Sequence, residues 1–591
     1  MSNYSIRLII KAHLLALLLL AGGASALGQT PSPTPVNPAT QPPGAQTQSP
    51  TAPPGAPVVQ EPRQPNLPDV QQQPVPPLPD LTRLGVLSSN VLTLSMNDAI
   101  RRALQNNNDI EVARDDVRVA EQRLRALYGV YDPVFSVTPS FDQRISPVTS
   151  IFAGGTSSGT VSNKTLTVSP SISKIFSTGG GSYQVIFNNT KTTTSATSST
   201  LNPFYSSNLS LLYTQPLLRN RSIDANRHSI KIQKKLVAQT DSDFRQRTIT
   251  IISQVQAAYW NLVFALRNQQ NQLDSLNLSR QNMRNIEAQI GAGAKAPLDR
   301  AQVLTDIATR ESALFVATQS VSTAENSLKQ LMLKDPQAPE WSSQITPTDD
   351  PTFDLTRVDL KAALDDAHRN RTELGRLNLQ KEINGIDLQY YKNQTRPQID
   401  LTGAITSTGL AGTKVVCIPD PLTGRTCPIV PANLIGGYGQ DLSNLAGFST
   451  REINVGVAIS FPIHNRAAQA NLAAARIQRD QLDASYRSQG QAIEMDVRNA
   501  AQAVDTAQRR VVASRQARES AEQQLAGEQK LYEVGRSTTF LLLSRQNDLT
   551  TARTNELQAQ TDYNKALADL QRATSATLRI NNVVVENPTK P

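Results

Sequence analysis

Cysteine and histidine are the side chains from which a metal site or a nucleophilic centre is usually built, and this chain of 591 residues has only two cysteines and four histidines. The histidines are scattered, without a second ligand at a recognisable spacing, at His13, His228, His368 and His464. The sequence also lacks a phosphate-binding glycine loop and the serine–histidine–aspartate pattern of a hydrolase. We therefore expect no enzyme activity, no metal and no cofactor.

The two cysteines, Cys417 and Cys427, lie ten positions apart in the segment CIPDPLTGRTC. In an exported protein such a pair more often closes a small loop as a disulfide than contributes to a metal site. The sequence predicts this disulfide and leaves the metal site as the alternative.

The N-terminus has the layout of a secretory signal. Arg7 and Lys11 precede the apolar run LLALLLLAGGASA, whose small residues provide a cleavage site, so a signal peptide is predicted over 1–26. Residues 27–90 include a proline-rich part that predicts a disordered linker. After this segment no run of about 18 continuous apolar residues occurs, so the sequence predicts no transmembrane helix. The net charge of +9 comes from scattered lysines and arginines, which does not favour a nucleic-acid partner.

The rest of the chain consists of two similar repeats. ALQNNNDIEVAR, from Ala103, corresponds to AHRNRTELGRLN, from Ala367, and the same offset relates Pro133 to Pro397. Self-similarity at a fixed offset indicates a repeat architecture. The predicted units are a first repeat over 91–357, a second repeat over 358–580 and a C-terminal tail over 581–591.

Each repeat contains a very long helical segment. Residues 224–289 contain no proline, and at about 1.5 Å per residue they predict a helix of roughly 100 Å, with a counterpart over 468–533. Apolar residues follow the 3-4 spacing of a coiled-coil seam in both segments: Ile252, Val255, Tyr259, Leu262 and Leu266 in the first, and Val497, Ala500, Val504, Ala507 and Val511 in the second. Gly293 and Gly535 suit the positive φ of a helix end, after which helices return over 298–332 and 539–576. Shorter helices are expected over 97–129 and 359–393.

Strands are expected between the shorter and the longer helices. The predicted strands cover 133–143, 206–217, 396–407 and 451–463, with a further hairpin near 164–189. In 453–461 apolar residues alternate with polar or small ones, which is typical of transmembrane β-barrel strands. A strand of a soluble sandwich, whose apolar face points inward, is the alternative. We expect the connection 408–450 to be an extracellular loop.

In their order and duplication these segments resemble the TolC-type outer membrane efflux proteins. The resemblance rests on VQAAYWNLVFALRN at 255–268 and on the glycine turns GAGAKAPLD and VGRSTTFLL. It also rests on the paired prolines at the changes between helix and strand, Pro133/Pro397 and Pro216/Pro462. It implies an α+β membrane protein of the cell outer membrane. It also implies a homotrimer, in which about four strands per chain share one twelve-stranded transmembrane β-barrel that continues as a periplasmic α-helical barrel of coiled-coil hairpins. The hairpin near 164–189 either adds two strands to this barrel or lies outside it.

A physical argument independently requires an oligomer. Four to six strands cannot close a barrel, since single-chain barrels begin at eight strands. An open edge in lipid leaves backbone groups unpaired at several kcal/mol each. Several copies must therefore share one barrel, although the number three comes from the resemblance.

The resemblance implies a passive exit duct of a tripartite efflux or type I secretion system. An inner-membrane transporter supplies the energy, and a periplasmic adaptor protein docks at the tip turns, for which the candidate residues are Gly291, Gly293 and Gly535. An exported coiled-coil adhesion protein with a β domain is the alternative function.

The lining of the periplasmic aperture departs from the family pattern. Family members often have acidic residues just after the second turn, where this chain has Leu541 and Ser544. The candidate lining residues are Asp299, Asp306, Leu541, Leu542, Ser544 and Asp548. We expect an apolar gate over 541–543, while carboxylates on a solvated helix end are the alternative interpretation of the aspartates.

Overall fold

The computed structural model describes residues 77–148, 155, 158–351, 353–354, 357–416 and 429–585. The predicted signal peptide, residues 27–76 of the predicted linker and residues 586–591 of the predicted tail lie outside the described residues. Cys417 and Cys427 lie outside them too, so the disulfide stays a prediction.

Strands and helices alternate in blocks along the described chain. The strands are β1 (Leu87–Leu94), β2 (Val134–Pro147), β3 (Thr160–Ile175), β4 (Ser182–Thr194), β5 (Leu201–Pro216), β6 (Ser343–Pro347), β7 (Gln398–Lys414) and β8 (Arg451–Ser460). The helices are α1 (Met96–Asn106), α2 (Asn108–Tyr128), α3 (Ala225–Gly291), α4 (Pro297–Met332), α5 (Leu360–Asn370), α6 (Thr372–Gln394), α7 (Tyr438–Ala446), α8 (Arg466–Glu533), α9 (Thr539–Ala573) and α10 (Thr577–Ile580).

The helices expected over 97–129 and 359–393 are each broken in two. Asn107 ends α1 and caps α2, since its side chain accepts hydrogen bonds from the N–H groups of Asp109 at 3.0 Å and Ile110 at 3.2 Å. An asparagine cap satisfies N–H groups that a helix start leaves free, so the chain changes direction here at little cost. Arg371 occupies the corresponding place between α5 and α6.

The long helices are confirmed as α3 and α8. Each is paired with a shorter antiparallel helix, α3 with α4 and α8 with α9, and α3 also packs against α9. Both predicted seams lie in the interior, with Leu266 as a half-buried exception. By length and composition one stretch of α3 qualifies as a membrane span, but 67% of that stretch is buried inside the protein, as in a core helix.

In the part of the chain that the structure describes, six strands form one antiparallel sheet in the order β2-β3-β4-β5-β7-β8. Besides the four strands expected for the barrel, this sheet contains the hairpin near 164–189, which pairs on both sides, with β2 and with β5. A separate two-stranded parallel sheet joins β1 to β6.

The connection 408–450 is only partly a loop. Strand β7 continues to Lys414, and α7 packs over it, with the Ser407 Oγ donating to the Leu445 carbonyl at 2.7 Å. Ser207 on β5 donates to the buried Asp441 carboxylate of α7. Gly409 permits this approach, because a Cβ there would collide with the Asp441 carbonyl.

Candidate functional site

One face of the six-stranded sheet is apolar across neighbouring strands. Ile405 on β7 lies opposite Ile453 on β8, and Leu211 on β5 lies opposite Ile405. Farther along, Leu401 lies opposite Val457. The alternate residues of β8 are polar or small: Asn454, Gly456, Ala458 and Ser460. Side chains of a strand alternate between the two faces of a sheet, so this sheet has one apolar and one polar face, as a membrane barrel requires.

The two edge strands of this sheet have a neighbour on one side only within the described chain. Nearly every residue of β2 and of β8 is exposed, including large apolar side chains such as Phe135, Phe141 and Val455. Because the strands alternate in direction, β2 and β8 run antiparallel to each other. The edges are therefore suited to pairing between copies of this chain.

An asparagine makes the corner from sheet to long helix in both repeats. Asn220 has φ 65° between β5 and α3, and Asn465 has φ 41° between β8 and α8. Asparagine tolerates this left-handed conformation better than other residues with a Cβ. The Asn220 Oδ1 accepts from the Gln394 Nε2 at 2.8 Å, and the Asn465 Nδ2 donates to the Gln394 carbonyl at 3.3 Å. Both corners are thus fixed to the end of α6.

The far ends of the long helices share one turn geometry. Gly293 and Gly535 have φ 73° and 71°, which confirms the positive φ predicted for them. After Gly293, the Ala294 N–H donates to the Gln289 carbonyl at 2.8 Å, and the Arg536 N–H donates to the Leu531 carbonyl at 2.9 Å in the second turn. These bonds form a Schellman motif, which satisfies the last carbonyls of a helix.

The two tips of one chain contact each other. The Lys295 Nζ in the first turn lies 4.8 Å from the centroid of the Tyr532 ring at the end of α8. A cavity of 510 Å³ opens behind this contact between α3, α8 and α9. Amide side chains provide much of its lining: Gln281, Asn282, Asn285, Gln289, Gln529 and Gln546. The tips are therefore joined at their ends by a cation–π contact and separated by a polar space, an arrangement that permits repacking.

Arginines and glutamates join α8 to α9 above the tip. Glu522 accepts from Arg518 at 2.8 Å and from Arg553 at 3.2 Å, while Glu556 accepts from Arg518 on the same side. Burial disfavours the charged form of Glu522 and by itself raises the pKa of this carboxyl. The hydrogen bonds from Arg553 and Arg518 outweigh the effect of burial, so the pKa of Glu522 is lowered. The hydrogen bond to Glu556 raises the pKa of Arg518.

The fold is that of solved outer-membrane channels. The CmeC channel of Campylobacter jejuni superposes with a TM-score of 0.57 at 15% identity, covering 87% of this chain and 98% of that one. VceC of Vibrio cholerae gives 0.54 at 16% identity, covering 81% of this chain and 95% of that one. The open MtrE channel of Neisseria gonorrhoeae gives 0.54 at 16% identity, covering 81% and 88%. No curated protein was matched by its sequence.

A family model matches part of the second repeat. Residues 396–576, which include β7, β8 and the hairpin of α8 and α9, match the model described as outer membrane efflux protein. This part of the chain is therefore similar in sequence to outer membrane efflux proteins, and the whole described chain shares the fold of their solved channels. The predicted fold class and the outer-membrane location are thereby confirmed, and the family is one of efflux channels, not of enzymes.

The predicted aperture residues lie in different environments. Asp306 is engaged inside the first hairpin, where it pairs with Arg310 at 2.7 Å and accepts a hydrogen bond from Ser279. Asp548 pairs with Arg545 at 3.1 Å on an exposed face. Asp299 and Ser544 are half-buried near the two tips. A lining role for these residues stays a prediction.

Two of the three leucines of the apolar gate expected over 541–543 are buried within the chain. Leu542 packs with Leu525 and Leu549 between α8 and α9, and Leu543 packs against α3 and α4. Their side chains therefore hold the hairpins together. Leu541, 40% exposed, is the one of the three that faces outward.

Two exposed apolar side chains at the tips were missed by the sequence analysis. Leu298 is 78% exposed and Phe540 is 64% exposed. Each lies five residues after its turn glycine, Gly293 or Gly535, so the two positions correspond in the repeat. The repeat alignment and their apolar character were readable from the sequence, whereas their exposure required the packing of the helices around them.

Proposed function

We propose that this protein is a homotrimeric exit duct of a tripartite efflux or type I secretion system. It conducts cargo passively from an inner-membrane transporter, through a periplasmic adaptor, to the exterior. The membrane part is the sheet, and the periplasmic part is the pair of long helical hairpins.

One observation carries this proposal. A sheet with an apolar face, whose two edges have no further strand beside them in the described residues, runs directly into the long helices at Asn220 and at Asn465. Unpaired edges are not tolerated in lipid, so the sheet must close with other copies. The helices that continue it then form a common wall around the same axis.

The tips are the proposed docking surface for the adaptor. Gly293 and Gly535 shape the turns, Gly291 ends the helix before the first turn, and Leu298 and Phe540 offer apolar contact next to them. Exposed apolar side chains on a rigid turn are typical of a recognition site. Asp299, Leu541, Ser544 and Asp548 are proposed to lie near the aperture that opens when the adaptor binds.

The proposal is tested by purifying the full chain in detergent and measuring its mass, its image and its conductance in a planar bilayer. We expect a trimer with a central channel whose conductance rises when a cognate adaptor is added. A compact monomer without a channel contradicts the duct and favours the adhesion protein.

Docking is tested by the variants Leu298→Ser and Phe540→Ser. Each is expected to weaken adaptor binding about tenfold or more, as the loss of a buried apolar contact at an interface centre does. Val316→Ser, an equally exposed position in the middle of α4, serves as the matched control. Equal loss in all three variants argues against docking at the tips.

A further inference from the structure

We propose that β3 and β4 are two additional membrane-spanning strands in each chain, so that the assembled protein closes an eighteen-stranded barrel. This inference rests on the homotrimer of the proposed function. It assigns a membrane role to the hairpin over 160–194 and makes the exit wider than the twelve-stranded barrel expected from the resemblance.

The first support is the alternation of side chains in the hairpin. Register places Leu166 of β3 opposite Phe141 of β2, and Val185 of β4 opposite Leu211 of β5, on the apolar face of the sheet. On this face the residues that follow each other along β3 are Leu166, Val168, Pro170 and Ile172, and those of β4 are Tyr183, Val185 and Phe187, after which Asn189 and Lys191 lie opposite Val168 and Leu166. The residues between them are mostly polar: Thr165, Thr167, Ser169, Ser171, Gln184, Asn188 and Thr190. An apolar outer face is expected of a hairpin that contacts lipid, and not of one that lies in water outside the membrane.

The second support is the length of the apolar stripe on β3. Lys164 and Lys174 point to the same face as Leu166 and Ile172, which lie between them. Ten residues at about 3.3 Å each span roughly 33 Å along the strand. At the roughly 40° tilt of barrel strands this corresponds to a height of about 25 Å, the height of the apolar band of an outer-membrane barrel. The two lysines thus lie at the ends of this interval on β3, and Lys191 of β4, on the same face and opposite Leu166, lies near its end farther from the β3–β4 turn.

The third support is the position of the β3–β4 turn. The Gln215 Nε2 at the end of β5 donates to the Gly179 carbonyl at 2.8 Å. A Cβ at Gly180, whose φ is 69°, would come within 2.8 Å of the Asn220 carbonyl. The turn is therefore packed against the corner where β5 passes into α3. This contact places it at the periplasmic boundary, where a membrane-spanning hairpin must turn.

The strand count follows from closure of the barrel. Since β2 and β8 run antiparallel, β2 of one copy can pair with β8 of the next in an all-antiparallel barrel. Three copies of the six described strands give eighteen. Barrel diameter grows roughly linearly with strand number, so at equal tilt the barrel is about half as wide again as one of twelve strands. The outer-membrane end is then not the narrowest part of the duct, and cargo size is set at the helical tips.

The inference is tested first by imaging the full chain in lipid nanodiscs. An eighteen-stranded trimeric barrel supports it. A trimer whose barrel has twelve strands, with the hairpin in water, overturns it and leaves the proposed duct intact. A particle that is not a trimer overturns the count of eighteen together with the proposed function.

Cysteine labelling provides a second measurement that does not depend on imaging. In a background with Cys417→Ser and Cys427→Ser, the variants Thr167→Cys and Val168→Cys compare adjacent positions on opposite faces. A charged, membrane-impermeant maleimide is expected to label Thr167→Cys through the water-filled lumen at least tenfold faster than Val168→Cys. Comparable labelling of both positions in intact outer membranes overturns the inference.

Discussion

The Lys295 ammonium lies 4.8 Å from the centroid of the Tyr532 ring, and this contact joins the first tip turn to the end of the second long helix. An exposed cation–π contact contributes about 0.5–1 kcal/mol, a shift of roughly two- to fivefold in an equilibrium. It therefore favours the arrangement in which the two tips lie together. Because the contact is within one chain, it acts in every copy of the assembly.

Removing this contact should loosen the tips. We expect Lys295→Met and Tyr532→Ala each to raise the open fraction of single channels in a planar bilayer roughly two- to fivefold. Tyr532→Phe keeps the ring and should resemble the unaltered protein, as should Lys530→Met on the exposed face nearby. If Tyr532→Phe opens the channel as far as Tyr532→Ala, the cation–π account is wrong.

Two neighbouring glycines at the first tip should respond differently to alanine. Gly293 has φ 73°, so Gly293→Ala should strain the turn by about 1 kcal/mol or more. Gly291 is helical with no other atom close to an added Cβ, so Gly291→Ala should be neutral or slightly stabilising. Hydrogen exchange of the amides over 285–296 distinguishes the two. Equal protection in both variants would show that the turn does not depend on positive φ.

Glu522 predicts a dependence of stability on acidity. Its pKa is held below the ordinary value of 4.5, so its contribution to stability is complete above about pH 4.5 and is lost as the pH falls through the lowered pKa. Partly exposed pairs of this kind contribute about 0.2–1 kcal/mol. We expect Glu522→Gln to lower the melting temperature at neutral pH and to flatten its decline below pH 4.5. Glu533→Gln, at an exposed position on the same helix, is the control; an identical acid profile in both variants contradicts the assignment.

The corner at Asn220 should reject β-branched side chains. Asn220→Val places a stiff side chain at φ 65° and also removes the acceptor of the Gln394 hydrogen bond, so a loss of about 1–2 kcal/mol or more is expected. Asn220→Gly accepts the conformation and loses only the hydrogen bond. The heat resistance of the purified assembly should therefore fall in the order unaltered, Asn220→Gly, Asn220→Val. Arg221→Val, one residue later, tests whether any valine at the corner has the same effect.

Much of the helical region was predictable because its signals are local. The spacing of Val497, Val504 and Val511 predicts a buried seam without reference to the rest of the chain, and the seam is buried. Gly293 and Gly535 marked the turns because few other residues adopt positive φ. The breaks at Asn107 and Arg371 were missed, since a capping residue inside a helical pattern is a weak signal next to continuous amphipathicity.

The sequence by itself determined the duplication, the long helices, their turns and the alternation of the strands, because each depends on residues close together in the chain. Only the tertiary structure decided which strands are neighbours, and thus that β3 and β4 belong to the main sheet. It also decided that Leu542 is buried while Phe540 is exposed. At the tips a helix can pack against either of two hairpins, and strand pairing joins segments far apart in sequence. Neither choice is encoded in a local pattern.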